Sequence, residues 1–116
     1  MRWYHRLRRS GEIAFVRRRG KVAGLATLDA YAAPGRGAQT RIAVTVSKAV
    51  GKAVVRNLVR RRIRGALDAC APLDSGFRVL FVAKAASAGV PFEKLASDVA
   101  AVLARLPVSR VPAAAP

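Results

Sequence analysis

Acidic side chains are scarce in this chain: six aspartates and glutamates stand against 22 lysines and arginines in 116 residues. The acids are too few and too scattered for a paired-carboxylate site. Histidine occurs once, at His5 in the N-terminal lead-in, so no imidazole-centred base is in prospect, and Ser47-Lys48 has no accompanying base to make a nucleophile. A single cysteine, Cys70, excludes an internal disulfide, and no Cys/His cluster has zinc-ligand spacing. Cys70 falls on an apolar helix face and reads as a core residue. No glycine-rich phosphate loop is present, because Gly35 and Gly37 do not lie between a strand and a helix. There is also no apolar run of 18 or more residues, and the basic N-terminus has no apolar segment after it. The expectation is a cytoplasmic protein without targeting segment, metal site or membrane partner. Read from its composition, the chain binds and does not catalyse.

What is abundant is positive charge. The formal net charge is +16 and the isoelectric point is near 11.9. Charge of that size bears on partners rather than on fold, with nucleic acid expected first and an acidic membrane surface second. Residues 1–64 carry 17 lysines and arginines against two acids, whereas residues 65–116 carry five against four. The first part of the chain therefore meets the partner and the second part is scaffold. Hydrophobic residues make up 53%, enough for one globular domain with a modest core. That domain is expected over residues 1–106, with 107–116 (PVSRVPAAAP) a disordered tail.

The stretch from Arg41 to Leu67, RIAVTVSKAVGKAVVRNLVRRRIRGAL, organises the rest. Ile42, Val44 and Val46 alternate with Ala43, Thr45 and Ser47, which predicts a strand. A short turn follows, and from about Lys52 the period becomes helical. At roughly 100° per residue, Val55, Val59, Ile63, Ala66 and Cys70 share one side. Arg56, Arg60 and Arg64 stack on the other, with Asn57 and Arg61 beside them. Guanidiniums four residues apart on a helix repel one another unless an anion lies across them, so this helix is built to lie on a polyanion.

In the remaining chain, Ser10 is a candidate N-cap with Glu12 in the first turn of a helix ending at Gly20. Ile13 and Val16 mark its buried stripe, and Phe15 reads as a packing residue, with nucleotide stacking as the alternative. A short edge strand over 21–23 precedes a strand over 27–33, with Leu28, Ala30 and Ala32 on one face and Asp29 and Tyr31 on the other. Asp29 reads as a solvated strand residue. The loop Pro34-Gly35-Arg36-Gly37 predicts an antiparallel hairpin joining this strand to the one at 41–47. After a turn over 72–76, FRVLFVA at 77–83 is short and nearly all apolar, as a central strand covered on both sides would be. Pro91 and Glu93 open a last amphipathic helix carrying Phe92, Leu95, Ala96, Val99, Val102, Leu103 and Leu106. The sum is an α+β fold, an α/β sandwich of helices on one small sheet.

The set Val46-Ser47-Lys48, Gly51, Ala53-Val54, Arg56-Asn57, Arg60-Arg61 and Arg64 resembles the strand-to-helix signature of the protein subunit of bacterial ribonuclease P, VSKxxGxAVxRNxx(K/R)RxxR. Arg6-Leu7, Gly20, Val82-Ala83-Lys84 and the last helix agree in order and spacing, so the resemblance covers about residues 4–106. It implies the order α-β-β-β-α-β-α, a small four-stranded sheet and an uncommon left-handed crossover through the arginine helix. It also implies that an RNA subunit performs the hydrolysis with magnesium (Mg2+), bound mainly by that RNA, while the protein grips the RNA and the 5′ leader of precursor tRNA. Lys52, Arg56, Asn57, Arg60, Arg61 and Arg64 would then face the RNA subunit, and Ile13, Arg17, Tyr31, Thr45, Ser47 and Lys48 the leader. No obligatory protein partner is implied.

The chain departs from the family pattern at four positions. Leu58 stands where a second arginine is usual, Lys52 where asparagine is usual, and Ile13 and Arg17 where aromatics are frequent. The alternative is a ribosomal or other structured-RNA-binding protein without a role in cleavage. DNA binding fits less well, because base readout asks for well-spaced Asn, Gln or Arg and this face is uniformly phosphate-seeking. A membrane-surface helix fits least, since the sheet needs the apolar side of the arginine helix.

Overall fold

The computed structural model describes residues 3–35, 37, 39–70, 72–73 and 76–106. The expected disordered tail, 107–116, and part of the expected 72–76 turn lie outside them. Five strands and three helices follow in the order β1 (His5–Arg6), α1 (Ser10–Arg19), β2 (Lys21–Gly24), β3 (Leu28–Pro34), β4 (Arg41–Val46), α2 (Ala53–Asp68), β5 (Phe77–Ala83) and α3 (Phe92–Arg105). The α+β sandwich is as read from the pattern, but the sheet has five strands rather than four. The extra one, His5–Arg6, is only two residues long and pairs parallel with Arg41–Ile42. Two residues are too few to show a period in the sequence, and the strand exists through its partner.

The sheet order is β1-β4-β5-β3-β2. The expected hairpin between 27–33 and 41–47 is therefore wrong: β5 lies between them, antiparallel to β3 and parallel to β4. The reason is in β5 itself. A strand apolar on both faces is buried on both, and its two backbone edges then need partners as well. The loop after Pro34 permits a hairpin, but pairing β3 with β4 would leave β5 at an edge. Among the described residues the antiparallel hairpin between consecutive strands joins β2 to β3, with Val22 opposite Tyr31. Helix α2 is the crossover between the adjacent parallel strands β4 and β5.

Alternation assigns the two faces. Leu28, Ala30, Ala32, Ile42, Val44, Val79 and Phe81 are buried with Val59, Ile63 and Leu67 of α2 and Leu95, Val99, Val102 and Leu103 of α3. On the opposite face Leu80, Ala43 and Ala33 are buried with Leu7 and Val16, and Ile13, Tyr31 and Val82 pack around them. Helix α1 thus covers only part of its sheet face. Its N-cap is Arg9, with no side-chain cap, and not Ser10, which is the first helical residue. Gly20 follows its last residue in an extended conformation, and only glycine fits there, because a Cβ would strike the Val16 carbonyl and crowd Ala32. Between β4 and α2 the chain makes a 3-10 turn, Lys48–Val50, and then Gly51 at φ 147°. L side chains rarely adopt that angle, so glycine is what lets α2 start at its angle to the strand.

Candidate nucleic-acid interface

Helix α2 buries Val59, Ile63, Ala66 and Leu67 and turns its basic side outward. Lys52 is the exposed N-cap, Asn57 and Arg61 are exposed, and Arg56, Arg60 and Arg64 are half-buried along their stems. None of the three stacked arginines is in the core. They are not equivalent, however. An open groove of about 620 Å³ is lined by Arg6, Val54, Asn57, Arg60, Arg61 and Arg64, so Lys52 and Arg56 lie outside it. The Nε of Arg56 is shielded from solvent and has no hydrogen-bond partner among the described residues. Within the groove Arg60 Nη1 donates to Asn57 Oδ1 at 2.8 Å. That bond holds the guanidinium in place without neutralising it, because the partner is an uncharged amide. Leu58 is 36% exposed and Val54 80%, which makes the rim of this face apolar where it is not arginine.

The uncovered part of the other sheet face adjoins α1. Register places Thr45 opposite Val82 and Val82 opposite Asp29, one row beyond the buried Ala43–Leu80–Tyr31 row. Ile13, Tyr31 and Val82 pack around the same small core, and the exposed Arg17 holds its guanidinium 5.9 Å from the centre of the Tyr31 ring. Thr45 Oγ1 donates to the Phe81 carbonyl at 3.3 Å. Ser47 is exposed, with its Oγ accepting from the Ala49 amide at 3.2 Å, and Lys48 is exposed one residue on. The fold thus brings Arg17 and Tyr31 into contact and packs Ile13 on the same small core, while Ser47 and Lys48 lie in the turn just after β4. Asp29 is not simply solvated: its carboxylate pairs with Lys84 Nζ at 2.9 Å, which removes the one acid from this surface.

Two features were missed from the sequence. Arg6 belongs to the α2 groove, because β1 pairs with β4 and carries it there. A small cavity of about 250 Å³ connects the two surfaces. Arg6 and Arg64 line it as well as the groove, and Ile13 and Thr45 reach it from the cleft side. No local pattern announces Arg6, since a two-residue strand has no signal of its own. The scaffold carries a buried carboxylate, Asp98. Asp98 accepts from the Thr27 hydroxyl at 2.6 Å and from Lys94 Nζ at 3.0 Å. Burial pushes its carboxyl up, but those two donors and the Lys94 charge outweigh burial and hold it below the usual carboxylate range.

A guanidinium-lined helix and a half-open sheet face, joined by shared arginines, define a basic α+β protein of the RNA-binding class. The sequence model of the ribonuclease P family matches residues 1–107, so the chain belongs to that family. It is 40% identical over 112 residues to the ribonuclease P protein component of Streptomyces avermitilis, covering 88% of this chain and 91% of that protein. It is 35% identical over 105 residues to that of Chloroflexus aggregans, covering 89% and 78%. The fold matches the Staphylococcus aureus RNase P protein with a TM-score of 0.80 at 17% identity, covering 87% of this chain and 94% of that one. It matches the Thermotoga maritima protein with a TM-score of 0.76 at 19% identity, covering 88% and 97%. No helix among the described residues is long and apolar enough to cross a membrane.

Proposed function

We propose that this chain is the protein subunit of ribonuclease P and assists removal of the 5′ leader of precursor tRNA by a catalytic RNA subunit. The single observation that carries the reading is the joined pair of surfaces: a groove of Arg6, Arg60, Arg61 and Arg64 that opens, through residues it shares, onto the α1–sheet cleft. The groove suits a folded RNA. Arginine engages phosphates bidentately, and each neutralised phosphate releases counterions, which makes binding salt-dependent. In this reading Asn57, Arg60, Arg61 and Arg64 hold the RNA subunit, with Lys52 and Arg56 beside the groove rather than in it.

The cleft suits a single strand. Tyr31 offers a stacking surface that any base can use, Arg17 adds charge, and Ile13, Thr45, Ser47 and Lys48 complete the wall. Magnesium is held mainly by the RNA subunit in this scheme. Among the described residues no group of three or more His, Cys, Asp or Glu is placed to hold a metal ion. The chain's own contribution is to neutralise phosphates near which such ions gather. The work belongs to the cytoplasm and needs no obligatory protein partner. Family membership favours this over the ribosomal alternative.

The direct test is to mix the protein with a bacterial ribonuclease P RNA and precursor tRNA at low magnesium. Restored 5′ cleavage is the expected result, and unchanged cleavage at several protein concentrations overturns the assignment.

A further inference from the structure

Helix α1 has a second flank. Ile13 and Arg17 face Tyr31 on one side, while Glu12 and Phe15 face Arg78 on the other. The sheet register separates the two flanks. The Ala43–Leu80–Tyr31 row lies under the helix, the Thr45–Val82–Asp29 row lies toward the cleft, and the Arg41–Arg78–Ala33 row lies the other way. Arg41 and Arg78 are direct cross-strand partners on one face. Like charges directly opposite in a sheet are destabilising; Glu12 offsets Arg78, and Arg41 is the member left without an anion among the described residues.

The surroundings increase the excess. A cavity of about 600 Å³ is lined by Arg8, Arg9, Gln39, Arg41 and Arg78, with Glu12 the one acid. A second cavity continues it along Arg9, Phe15 and Arg18. Arg8, Arg9, Arg18 and Arg41 are exposed and have no ion-pair partner among the described residues. Glu12 is committed to Arg78, Oε1 to Nη1 at 3.7 Å. Arg78 is fixed as well: its side chain is only 11% exposed, and its Nε donates to the Pro34 carbonyl at 3.0 Å. Its guanidinium sits 4.7 Å from the centre of the Phe15 ring. Phe15 is 37% exposed, so a ring held from one side remains open on another.

We propose that this flank is a further binding site, for single-stranded RNA, in which Arg8, Arg9 and Arg41 contact successive phosphates and Phe15 stacks an unpaired base. The combination separates the class of ligand. Arginines alone would suit any polyanion, but a partly exposed aromatic among them suits a strand whose bases are splayed out. Duplex bases, stacked on each other, cannot reach it. The site adds a third surface to the two assigned above, and it does not require the enzyme assignment to hold.

The test titrates the full chain with an oligouridylate of about 12 nucleotides over a range of salt concentrations. The double variant Arg9→Gln/Arg41→Gln should weaken binding and flatten the salt slope by about 1.4, at about 0.7 per single-strand phosphate contact. Phe15→Leu should weaken binding at least about fivefold with the slope unchanged. Both effects should persist in a Tyr31→Ala background, which keeps this flank distinct from the cleft. Lys21→Gln/Arg105→Gln removes the same charge at exposed positions elsewhere. If that pair flattens the slope equally, or if Phe15→Leu changes nothing, the site is overturned. Thermal melts of each variant read folding separately.

In the reconstituted enzyme the source of the strand is then read from Arg9→Gln/Arg41→Gln. A defect that grows with leader length identifies the leader, and one confined to affinity for the RNA subunit identifies an unpaired segment of that RNA. No defect in either overturns the site's use in the enzyme. Because the oligonucleotide titration needs no RNA subunit, failure of the enzyme assignment and failure of this site are read separately.

Discussion

Arg17 on α1 and Tyr31 on β3 meet across the cleft, guanidinium to ring centre at 5.9 Å. A cation over an aromatic face at an exposed site is worth about 0.5–1 kcal/mol. The contact orients the ring while leaving it half-buried rather than covered. Tyr31→Ala should weaken binding of precursor tRNA by roughly 1–3 kcal/mol, the usual range for one stacked base. Mature tRNA should bind nearly as before. Equilibrium binding of both RNAs to the reconstituted enzyme checks this, and equal losses for the two would remove the leader from the cleft.

Arg60, in the groove, is oriented by the Asn57 amide at 2.8 Å. Arg60→Ala should weaken binding to the RNA subunit and reduce the salt slope by about one contact. Asn57→Ala should weaken binding less and leave the slope unchanged, because it frees the guanidinium without deleting its charge. Titrations over a salt series distinguish the two outcomes.

Leu58 sits at the rim of the same face, 36% exposed. Replacing it by arginine removes little from the core, so stability should move by less than about 0.5 kcal/mol. Affinity for the RNA subunit should rise and the salt slope steepen by about one contact. A variant with wild-type slope would mean that the rim at this position does not approach the RNA.

Asp98 gives the scaffold its acid sensitivity. Its carboxyl is held below the ordinary value despite burial, by Thr27 and Lys94. A carboxylate with a depressed folded pKa contributes stability that is fully present above the unfolded value, about 3.9. That stability is lost as pH falls through the folded value. Stability read by denaturant unfolding should therefore fall progressively below about pH 4, and Asp98→Asn should flatten that decline. At neutral pH Asp98→Ala should cost on the order of 1–3 kcal/mol, since it leaves the buried Thr27 hydroxyl without its acceptor.

Legibility from the sequence followed the range of the interaction. Helix α2 was readable because its apolar and basic sides are set by residues three and four apart, and Val59, Ile63 and Ala66 are buried as that period requires. The same holds for the stripe of α3, apart from Phe92, which is 40% exposed at the first turn. The cleft residues Ile13, Arg17 and Tyr31 came from family resemblance rather than from any period, and strand alternation only put Tyr31 on the correct face. The hairpin was misread because loop chemistry describes a connection and not the strands it joins. The apolar run at Phe77–Ala83, which already implied two neighbours, was the better guide. Arg6, Arg41 and Arg78 were invisible as a group. Only pairing across β1, β4 and β5 brings them near the sites, and such pairing spans more than 70 residues of chain.

That same middle strand has a bearing on biosynthesis. During translation at about 5–20 residues per second, β3 and β4 leave the ribosome well before the segment that must slot between them. The most cationic part of the polypeptide therefore emerges while its framework is still missing, in sight of ribosomal RNA. Closure of the sheet waits for Ala83, and closure of the helical layer for α3. A nascent chain halted before that point would present two unmatched strand edges beside a row of arginines, a state prone to stick to whatever acid or strand is nearest.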